Sequence, residues 1–280
     1  MVQYGRPMPL SALLLVLAAA FLHALWNMLL ARAHDSEAAT AVLLVVALVA
    51  YAPVAALVWR ADASVWPYVL GSGLLHLVYF GLLAAAYHRA ELSVVYPLAR
   101  GTAPVLVLLV GVVVLGASSS AVQAAGVCLV GAGVLLVRGL RRPATGSGVG
   151  FGLAIAVVIA AYTMNDNSGV EHANPIAYLE LSMILPTIAY TAAVGSLKGL
   201  PALRAELNVP AVIAGLATFG AYALVLEALA RAPAAPVAAA RETSVVIAAV
   251  LARTFLKEPV TAERFAGAAL VAGGVALVSL

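Results

Sequence analysis

Long apolar stretches separated by short polar ones run through this whole chain. Ten stretches of roughly 17 to 24 residues match the length that an α-helix needs to cross about 30 Å of hydrocarbon. They cover residues 10–31, 38–59, 66–87, 92–115, 120–139, 149–168, 174–196, 208–230, 234–256 and 262–280. Backbone amides in lipid need internal partners, and no stretch has the alternating pattern of a barrel strand. The pattern therefore predicts an all-α membrane protein with ten transmembrane helices.

The composition agrees with this class. Of the 280 residues, 64% are hydrophobic and only 10% are charged, where a soluble domain has about a quarter charged. The longest polar stretches, 138–148 and 165–174, are the size of loops and leave no room for a separate soluble domain. A net charge of +3 spread over loops gives no support for nucleic-acid binding.

The second half of the sequence repeats the first at an offset of 141 residues. Residues 126–137 and 267–278 are identical at seven of twelve positions. Arg100 aligns with Arg241 and Thr102 with Thr243. Arginine is rare in transmembrane segments, so the alignment of two arginines is stronger evidence for a repeat than matches between apolar residues. The chain is therefore predicted to consist of two five-helix repeats, residues 1–142 and 143–280.

An odd number of helices in each repeat has a consequence for topology. Two similar five-helix halves must cross the membrane in opposite senses, which is the inverted repeat of many secondary transporters, with the substrate site near mid-membrane. A charge at a helix centre costs about 2.5–3.5 kcal/mol on insertion scales, so it is normally paired or solvated. We therefore expect Arg100 and Arg241 to face a central cavity between the halves.

Three sequence segments carry a resemblance to a known family. HALWN (23–27), YPLARGTAPVLV (96–107) and FLKEPVTAERFAGAALVAGGVAL (255–277) resemble EamA-type members of the drug/metabolite transporter superfamily. The resemblance covers the whole chain. Within the superfamily, the chain is most similar to bacterial amino-acid exporters of the YddG type. It implies a carrier in the bacterial cytoplasmic (inner) membrane that moves small metabolites, often outward. The first repeat departs from the pattern, because residues 115–126 lack the glutamate that the second keeps as Glu258.

Polar and aromatic side chains in the first and third helices are the first site candidates. His23, Trp26 and Asn27 lie at i, i+3 and i+4, on one helical face. His76 and Tyr79 share a face of the third helix in the same way. These faces are predicted to line the substrate path. The alternative is structural, with the polar groups joining helices and the aromatic rings at the membrane interface.

The two intramembrane arginines are the strongest candidates for substrate recognition. Arg100, with Tyr96 one turn earlier, suits a carboxylate because a guanidinium is a planar fork of five donors. Its alternative role is an ion pair with Glu180 or Glu227. Arg241 is followed by Glu242, but neighbours on a regular helix do not face one another.

Tyr162, Tyr178 and Glu180 complete the set of predicted substrate-binding residues. Tyr178 and Glu180 are candidates to contact a substrate ammonium or carry a proton, and a structural salt bridge is the alternative for Glu180. Asp166 follows Tyr162 near the end of the sixth helix and is expected to be a solvated loop charge. Close packing of the last helix, either internally or in a dimer, is expected from its small residues Ala268, Ala272 and Ala276.

Motifs for other classes of protein are missing from the sequence. It contains no HExxH metal pair and no glycine-rich phosphate loop, so we expect no enzyme activity, no cofactor, no metal site and no ATP site. The prediction is a secondary transporter that exports amino acids or similar zwitterions by alternating access. The alternative is transport of drugs or of sugar and nucleotide conjugates by the same superfamily. Expected partners are a small-molecule substrate and the lipid bilayer, and a monomer is the simplest assembly.

Basic residues and the family resemblance disagree about orientation. On the side opposite the termini the loops carry ten Lys or Arg residues, against three on the terminal side. The positive-inside rule therefore places both termini outside the cell. The resemblance places them in the cytoplasm, and the sequence leaves the two alternatives open.

Overall fold

The computed structural model describes residues 8–90, 92–116, 118–138, 146–256 and 262–280. The predicted boundary between the repeats, at residues 142 and 143, lies outside the described residues. So do Glu258 and four of the basic residues used for the orientation count, Arg6, Arg141, Arg142 and Lys257.

Helices account for nearly all of the described chain, and every predicted apolar stretch coincides with a helical segment. The helices are α1 (Leu10–Leu30), α2 (Ser36–Leu57), α3 (Trp66–Arg89), α4 (Leu92–Leu109), α5 (Ala121–Arg138), α6 (Gly146–Gly169), α7 (Pro175–Lys198), α8 (Leu200–Glu206), α9 (Val209–Leu229), α10 (Ala234–Arg241), α11 (Thr243–Leu256) and α12 (Ala262–Val278). A 3₁₀ turn, Ala63–Val65, precedes α3, and a π-helical turn, Val110–Val114, extends α4. Short α8 was not predicted, and the ninth stretch is divided into α10 and α11.

Eight segments of the described chain are long and apolar enough to cross a membrane. They are Leu10–Leu30, Ser36–Leu57, Ala63–Ala86, Val94–Val114, Gly146–Gly169, Pro175–Lys198, Val209–Leu229 and Ala234–Leu251. Helix α5 contains a shorter apolar stretch, Ala121–Leu136, and α12 has 17 residues. The chain is therefore a multi-pass membrane protein by the length and composition of its helices.

Capping side chains set where several helices begin. The Asp35 carboxylate accepts hydrogen bonds from the N–H groups of Glu37 and Ala38 at the start of α2. Asn174 and Asn208 cap α7 and α9 through the N–H groups of Ile176 and Ala211. These side chains satisfy N–H groups that have no partner within the helix. The polar residues between the apolar stretches thus determine the helix starts as well as the loops.

The pattern of helix packing is the same when the two halves are exchanged. Helices α1, α2 and α3 of the first half correspond to α6, α7 and α9 of the second. Helix α9 packs on α1 and α2, and in the same way α3 packs on α6 and α7. Helix α1 also packs on α10 and α11, as α6 packs on α4. The pairs α2–α7, α5–α12 and α4–α10 each join two equivalent helices. Helix contacts within one half of the exchange therefore have equivalents in the other.

Glycines, and not the predicted alanine stripe, allow α12 to pack closely on α5. A Cβ atom on Gly274 would lie 2.6 Å from the backbone oxygen of Gly126, and one on Gly133 would lie 2.7 Å from that of Gly267. Ala272 and Ala276 are exposed. Internal packing was wrong for Ala272 and Ala276, whereas Ala268 is partly buried against the core that α5 and α12 share. The buried face of α12 carries Gly267, Val271, Gly274 and Val278.

Candidate functional site

A cavity of about 110 Å³ lies between the two halves of the bundle. Eight helices line it: α1, α2, α3 and α4 from the first half, and α6, α7, α9 and α10 from the second. Seven of the predicted site residues are in its lining: His23, Trp26, His76, Tyr79, Arg100, Tyr162 and Arg241.

Arg100 is buried at the cavity wall and is held by residues at the break between α10 and α11. Its Nε lies 2.9 Å from Glu242 Oε2, and its Nη2 donates a hydrogen bond to Ser244 Oγ at 3.2 Å. The sequence suggested Glu180 or Glu227 as structural partners, and that expectation was wrong. Glu227 instead pairs with Arg231 one turn later on α9. Both partners of Arg100 come from the opposite half, so the pair joins the two halves at the cavity.

The helix break at Glu242 explains how Arg241 reaches the same carboxylate. Glu242 ends α10 with ψ near −8°, and its N–H donates to the carbonyl oxygens of Ala239 and Ala240. Because this tight turn replaces a regular helix, Arg241 Nε lies 3.8 Å from Glu242 Oε1. Arg241 is only 4% exposed, and its Nε and Nη2 atoms have no hydrogen-bond partner among the described residues. The guanidinium of Arg241 therefore has donors left over for a ligand.

Aromatic rings form one wall of the cavity beside the arginines. The imidazole of His76 stacks on the ring of Tyr162 at 4.3 Å between centroids and meets the edge of Tyr222 at 5.6 Å. His76 Nδ1 lies 2.9 Å from the Ser72 carbonyl oxygen, which can only accept a hydrogen bond. Ser72 Oγ lies 3.2 Å from the same nitrogen, and the two contacts fix the ring. Tyr79 packs edge-on against Tyr162.

Asp166 lies behind this aromatic wall and is completely buried. Its carboxyl oxygens accept hydrogen bonds from the hydroxyl of Tyr178, at 2.7 Å, and from that of Tyr222. The expectation of a solvated loop charge was therefore wrong. Asp166 is three residues from the end of α6, but Tyr178 of α7 and Tyr222 of α9 contact its carboxylate, so position along the helix did not indicate depth.

His23 and Trp26 line the cavity from α1, whereas Asn27 does not. Trp26 Nε1 donates to His23 Nδ1 at 3.3 Å, and the two rings meet edge to face. Asn27 Nδ2 donates to the His23 carbonyl oxygen at 2.7 Å, which turns the amide toward its own helix. The face predicted for α1 thus contributes its two aromatic side chains to the site.

Three other predicted residues also lie outside the cavity lining. Tyr178 is buried and belongs to the Asp166 cluster, where its hydroxyl also contacts the Tyr68 carbonyl oxygen at 3.2 Å. Glu180 is buried on α7, and its Oε2 has no hydrogen-bond partner among the described residues. Tyr96 is half-buried on α4, one turn before Arg100. The structure places these residues near the site but not on its surface in this conformation.

The apolar part of the lining was largely missed from the sequence. Its largest members are Leu43, Leu44, Phe80, Leu83, Met183, Phe219 and Val225, together with Tyr222. In a chain that is 64% hydrophobic, such residues do not stand out from those that face lipid or neighbouring helices. Glu242 was noticed only as a neighbour of Arg241, since nothing in the sequence indicated the helix break.

Loops from the two halves meet at one end of the bundle, called here the paired-loop end. Residues 58–65 and 170–174 form an isolated antiparallel bridge between Ala61 and Ala173. Asp62 N–H donates to the His172 carbonyl oxygen at 3.0 Å, and Asn174 N–H donates to that of Arg60 at 2.6 Å. The Ser64 N–H and then His172 stabilise the charged Asp62 carboxylate and hold its pKa below the usual value. Hydrogen bonds between backbones thus hold this end together.

Charged side chains join the halves at the opposite end, called here the ion-paired end. Lys198 Nζ lies 2.6 Å from Asp35 Oδ2 and 2.7 Å from Glu37 Oε2, and Asp35 N–H donates to Glu206 Oε1. Partial burial favours neutral Asp35, but the bonds from Lys198 and then Ala38 outweigh it and leave the pKa below its usual value. The pair with Lys198 is therefore complete at neutral pH, and is lost only as acidification passes that lowered pKa.

The cavity extends to the ion-paired end. Leu30 at the end of α1, Thr40 near the start of α2 and Leu83 near the end of α3 belong to its lining. No group of three or more His, Cys, Asp or Glu side chains within the described ranges is arranged to hold a metal ion. A bundle of apolar helices around a central, partly polar cavity defines the class of membrane carriers that bind small solutes between their helices.

Comparison with known proteins identifies the family. The model of the EamA-like transporter family matches residues 10–139 and 146–280, so the chain belongs to this family. It is a family of membrane transporters in the drug/metabolite superfamily and not of enzymes. A search of curated proteins found no match. Solved structures of 28 chains match the fold. One of these is a crystal structure whose sequence is 18% identical to this chain. The two folds superpose with a TM-score of 0.75 and the match covers 95% of this chain and 96% of that one.

Proposed function

We propose that this chain is a secondary transporter of the bacterial cytoplasmic membrane, which exports amino acids or similar small metabolites by alternating access. It would cross the membrane ten times, with α5 and α12 as crossings beside the eight longer segments. Residues 1–142 and 143–280 would be the inverted repeats. The exchange symmetry of the helix packing supports this arrangement, because five crossings per half would invert the second half relative to the first.

The observation that carries the proposal is the composition of the cavity between the halves. Two buried guanidinium groups, those of Arg100 and Arg241, lie beside aromatic and aliphatic walls. Guanidinium groups attract a carboxylate, and rings such as Trp26 and Tyr79 would shape a pocket for a side chain. Asn27, Tyr96, Tyr178 and Glu180 lie outside the lining and would reach a substrate only after the helices rearrange.

Flux measurements on purified protein in liposomes test the proposal. Uptake of a panel of radiolabelled amino acids is measured with and without an imposed pH gradient. We expect saturable flux of several amino acids, and a dependence on the gradient would distinguish proton coupling from facilitated diffusion. Flux no greater than that of empty liposomes, from protein that is folded by chromatography and melting, would reject amino acids as cargo. Drugs and sugar or nucleotide conjugates would then be tested in the same liposomes.

A further inference from the structure

The charges around the cavity do not balance. Arg100 and Arg241 contribute two positive charges and Glu242 one negative charge, which leaves one positive charge. Among the described residues that line the cavity there is no aspartate or glutamate. Asp166 lies outside the lining, behind Tyr222, and its oxygens accept from two tyrosine hydroxyls. On the cavity wall itself, a ligand therefore meets guanidinium groups and no described carboxylate.

Glu242 divides the two arginines into one that is engaged and one that is available. Arg100 is held both by the 2.9 Å contact with Glu242 and by the hydrogen bond to Ser244. The contact of Arg241 with the same carboxylate is longer, at 3.8 Å. Nε and Nη2 of Arg241 are buried without a hydrogen-bond partner in the described part of the chain. Buried donors of this kind are costly unless a ligand or water accepts from them.

The rest of the lining can accommodate an apolar body and, among the described residues, offers no carboxylate to an ammonium group. Leu43, Leu44, Phe80 and Phe219 present hydrocarbon surface. The hydroxyls of Thr40 and Thr218 already donate to carbonyl oxygens in their own helices. Aromatic faces attract cations, but the two nearby guanidinium groups oppose this attraction.

We propose that the site recognises an apolar monocarboxylate through Arg241 and does not require an ammonium group. This inference rests on the proposed function and narrows its substrate class. A carboxylate would accept a charge-assisted pair of hydrogen bonds from Arg241, while Arg100 stays with Glu242. An apolar amino acid would bind through the same two features, with its ammonium group contributing little.

Three matched probes separate the contributions of the two charged groups. Phenylalanine has both groups, 3-phenylpropionate has only the carboxylate, and phenethylamine has only the amine. Binding to the full-length protein in detergent is measured by isothermal titration calorimetry. We expect 3-phenylpropionate to bind at least as tightly as phenylalanine, and phenethylamine to bind about tenfold more weakly or worse, because its charge is repelled and no carboxylate meets Arg241.

Two variants test the residue. Replacing Arg241 with Gln leaves the Arg100–Glu242 pair intact, so the protein is expected to fold. The affinity for 3-phenylpropionate should fall about tenfold or more, with an intermediate loss for Arg241→Lys, which keeps the charge but loses the fork. The affinity for phenethylamine should not fall. If Arg241→Gln does not fold, the three probes on the unchanged protein still decide the question.

Each contrary result has a distinct meaning. Phenylalanine binding without 3-phenylpropionate binding would overturn this inference while the proposed amino-acid transport stands. Tightest binding of phenethylamine would overturn it as well. If none of the three probes binds but other amino acids cross the liposome membrane, the apolar monocarboxylate is wrong and the transporter proposal survives. If neither binding nor flux is found, both proposals fail.

Discussion

Buried polar side chains determine the character of this site at the scale of single residues. Asp166 and Glu242 are both completely shielded, yet they have different partners. Tyrosine hydroxyls surround Asp166, whereas guanidinium groups surround Glu242. A buried carboxyl group is tolerated only when its oxygens have such partners. The tyrosine hydroxyls that bind Asp166 hold the aromatic wall in place. The ion pair between Glu242 and Arg100 joins the two halves of the chain.

The Asp166 cluster leads to a prediction about stability. Replacing Asp166 with Ala removes the acceptor for the Tyr222 hydroxyl, while Tyr178 can still donate to the Tyr68 carbonyl oxygen. An unsatisfied buried donor costs about 1–3 kcal/mol, so the variant should melt at a lower temperature in detergent. Adding Tyr222→Phe removes the unpaired hydroxyl, and the double variant should be no less stable than Asp166→Ala. Strictly additive losses in a double-mutant cycle would contradict the interaction.

At the scale of helices, interruptions of regular helical geometry determine where the functional groups lie. The turn at Glu242 brings neighbouring side chains together that a continuous helix would separate by about 100°. Pro97 and Pro104 lie within α4, on either side of Arg100. A proline inside a helix removes one backbone hydrogen bond and permits a bend. Each of the two arginines thus lies beside an interruption of regular helix.

The contact between α5 and α12 supplies a test with an internal control. Gly274 has no space for a Cβ atom, whereas its neighbour Gly273 has nothing within 4 Å of that position. Gly274→Ala should separate the helices and destabilise the protein by about 1–3 kcal/mol, as overpacking does elsewhere. Gly273→Ala should be neutral or stabilising by up to about 1 kcal/mol, because alanine favours helix. Thermal melting of both variants in the same detergent compares them.

Equal melting temperatures for Gly273→Ala and Gly274→Ala would show that the close approach of α5 and α12 does not contribute to stability. The comparison is direct because the two glycines are adjacent in one helix and differ mainly in what faces them. Helix propensity changes equally in both variants, so only the packing against Gly126 differs.

At the scale of the whole molecule, equivalent loops from the two halves contact one another at the two ends. Loop 31–35 corresponds to loop 170–174 in the other half, and loop 58–65 corresponds to the connection 199–208. At the paired-loop end 58–65 meets 170–174, and at the ion-paired end Asp35 meets Glu206 of 199–208. The proposed alternating access requires that each end open in turn, so in that mechanism these contacts would break during a transport cycle.

A cross-link tests this requirement at the paired-loop end. Residues paired in an antiparallel bridge lie about 4.5–5.5 Å apart between Cα atoms, which suits a disulfide. In a background with Cys128→Ser, cysteines replace Ala61 and Ala173. Oxidation should abolish flux in liposomes and reduction should restore it, since the end can no longer open. Each single-cysteine variant is the control and should keep its flux under oxidant.

Full transport by protein whose disulfide is demonstrated by mass spectrometry would show that the paired-loop end does not need to open. The cycle would then have to use another route between the halves. Inactivity of the single-cysteine variants would instead point to damage by the substitutions, and the pair would be moved to Asp62 and His172, which meet in the same contact.

The sequence by itself determined the class of the protein and the positions of its helices. Apolar length and short polar separators define the helices, because lipid excludes unpaired backbone groups and caps mark the ends. The sequence also indicated seven residues of the cavity, because charged, histidine and aromatic side chains are conspicuous against an aliphatic background. A charged side chain within the membrane is costly in contact with lipid, so it lies at an interior site.

Only the tertiary structure decided which groups are partners. Arg100 pairs with Glu242 and not with Glu180 or Glu227, because the turn after α10 and the packing of α4 bring them together. Asp166 is buried, and its carboxylate is contacted by tyrosines of α7 and α9. Glycines and not alanines form the α5–α12 contact, since facing residues of two helices must fit one another. Such pairings depend on contacts more than one hundred residues apart in several cases, and local periodicity along a chain carries no information about them.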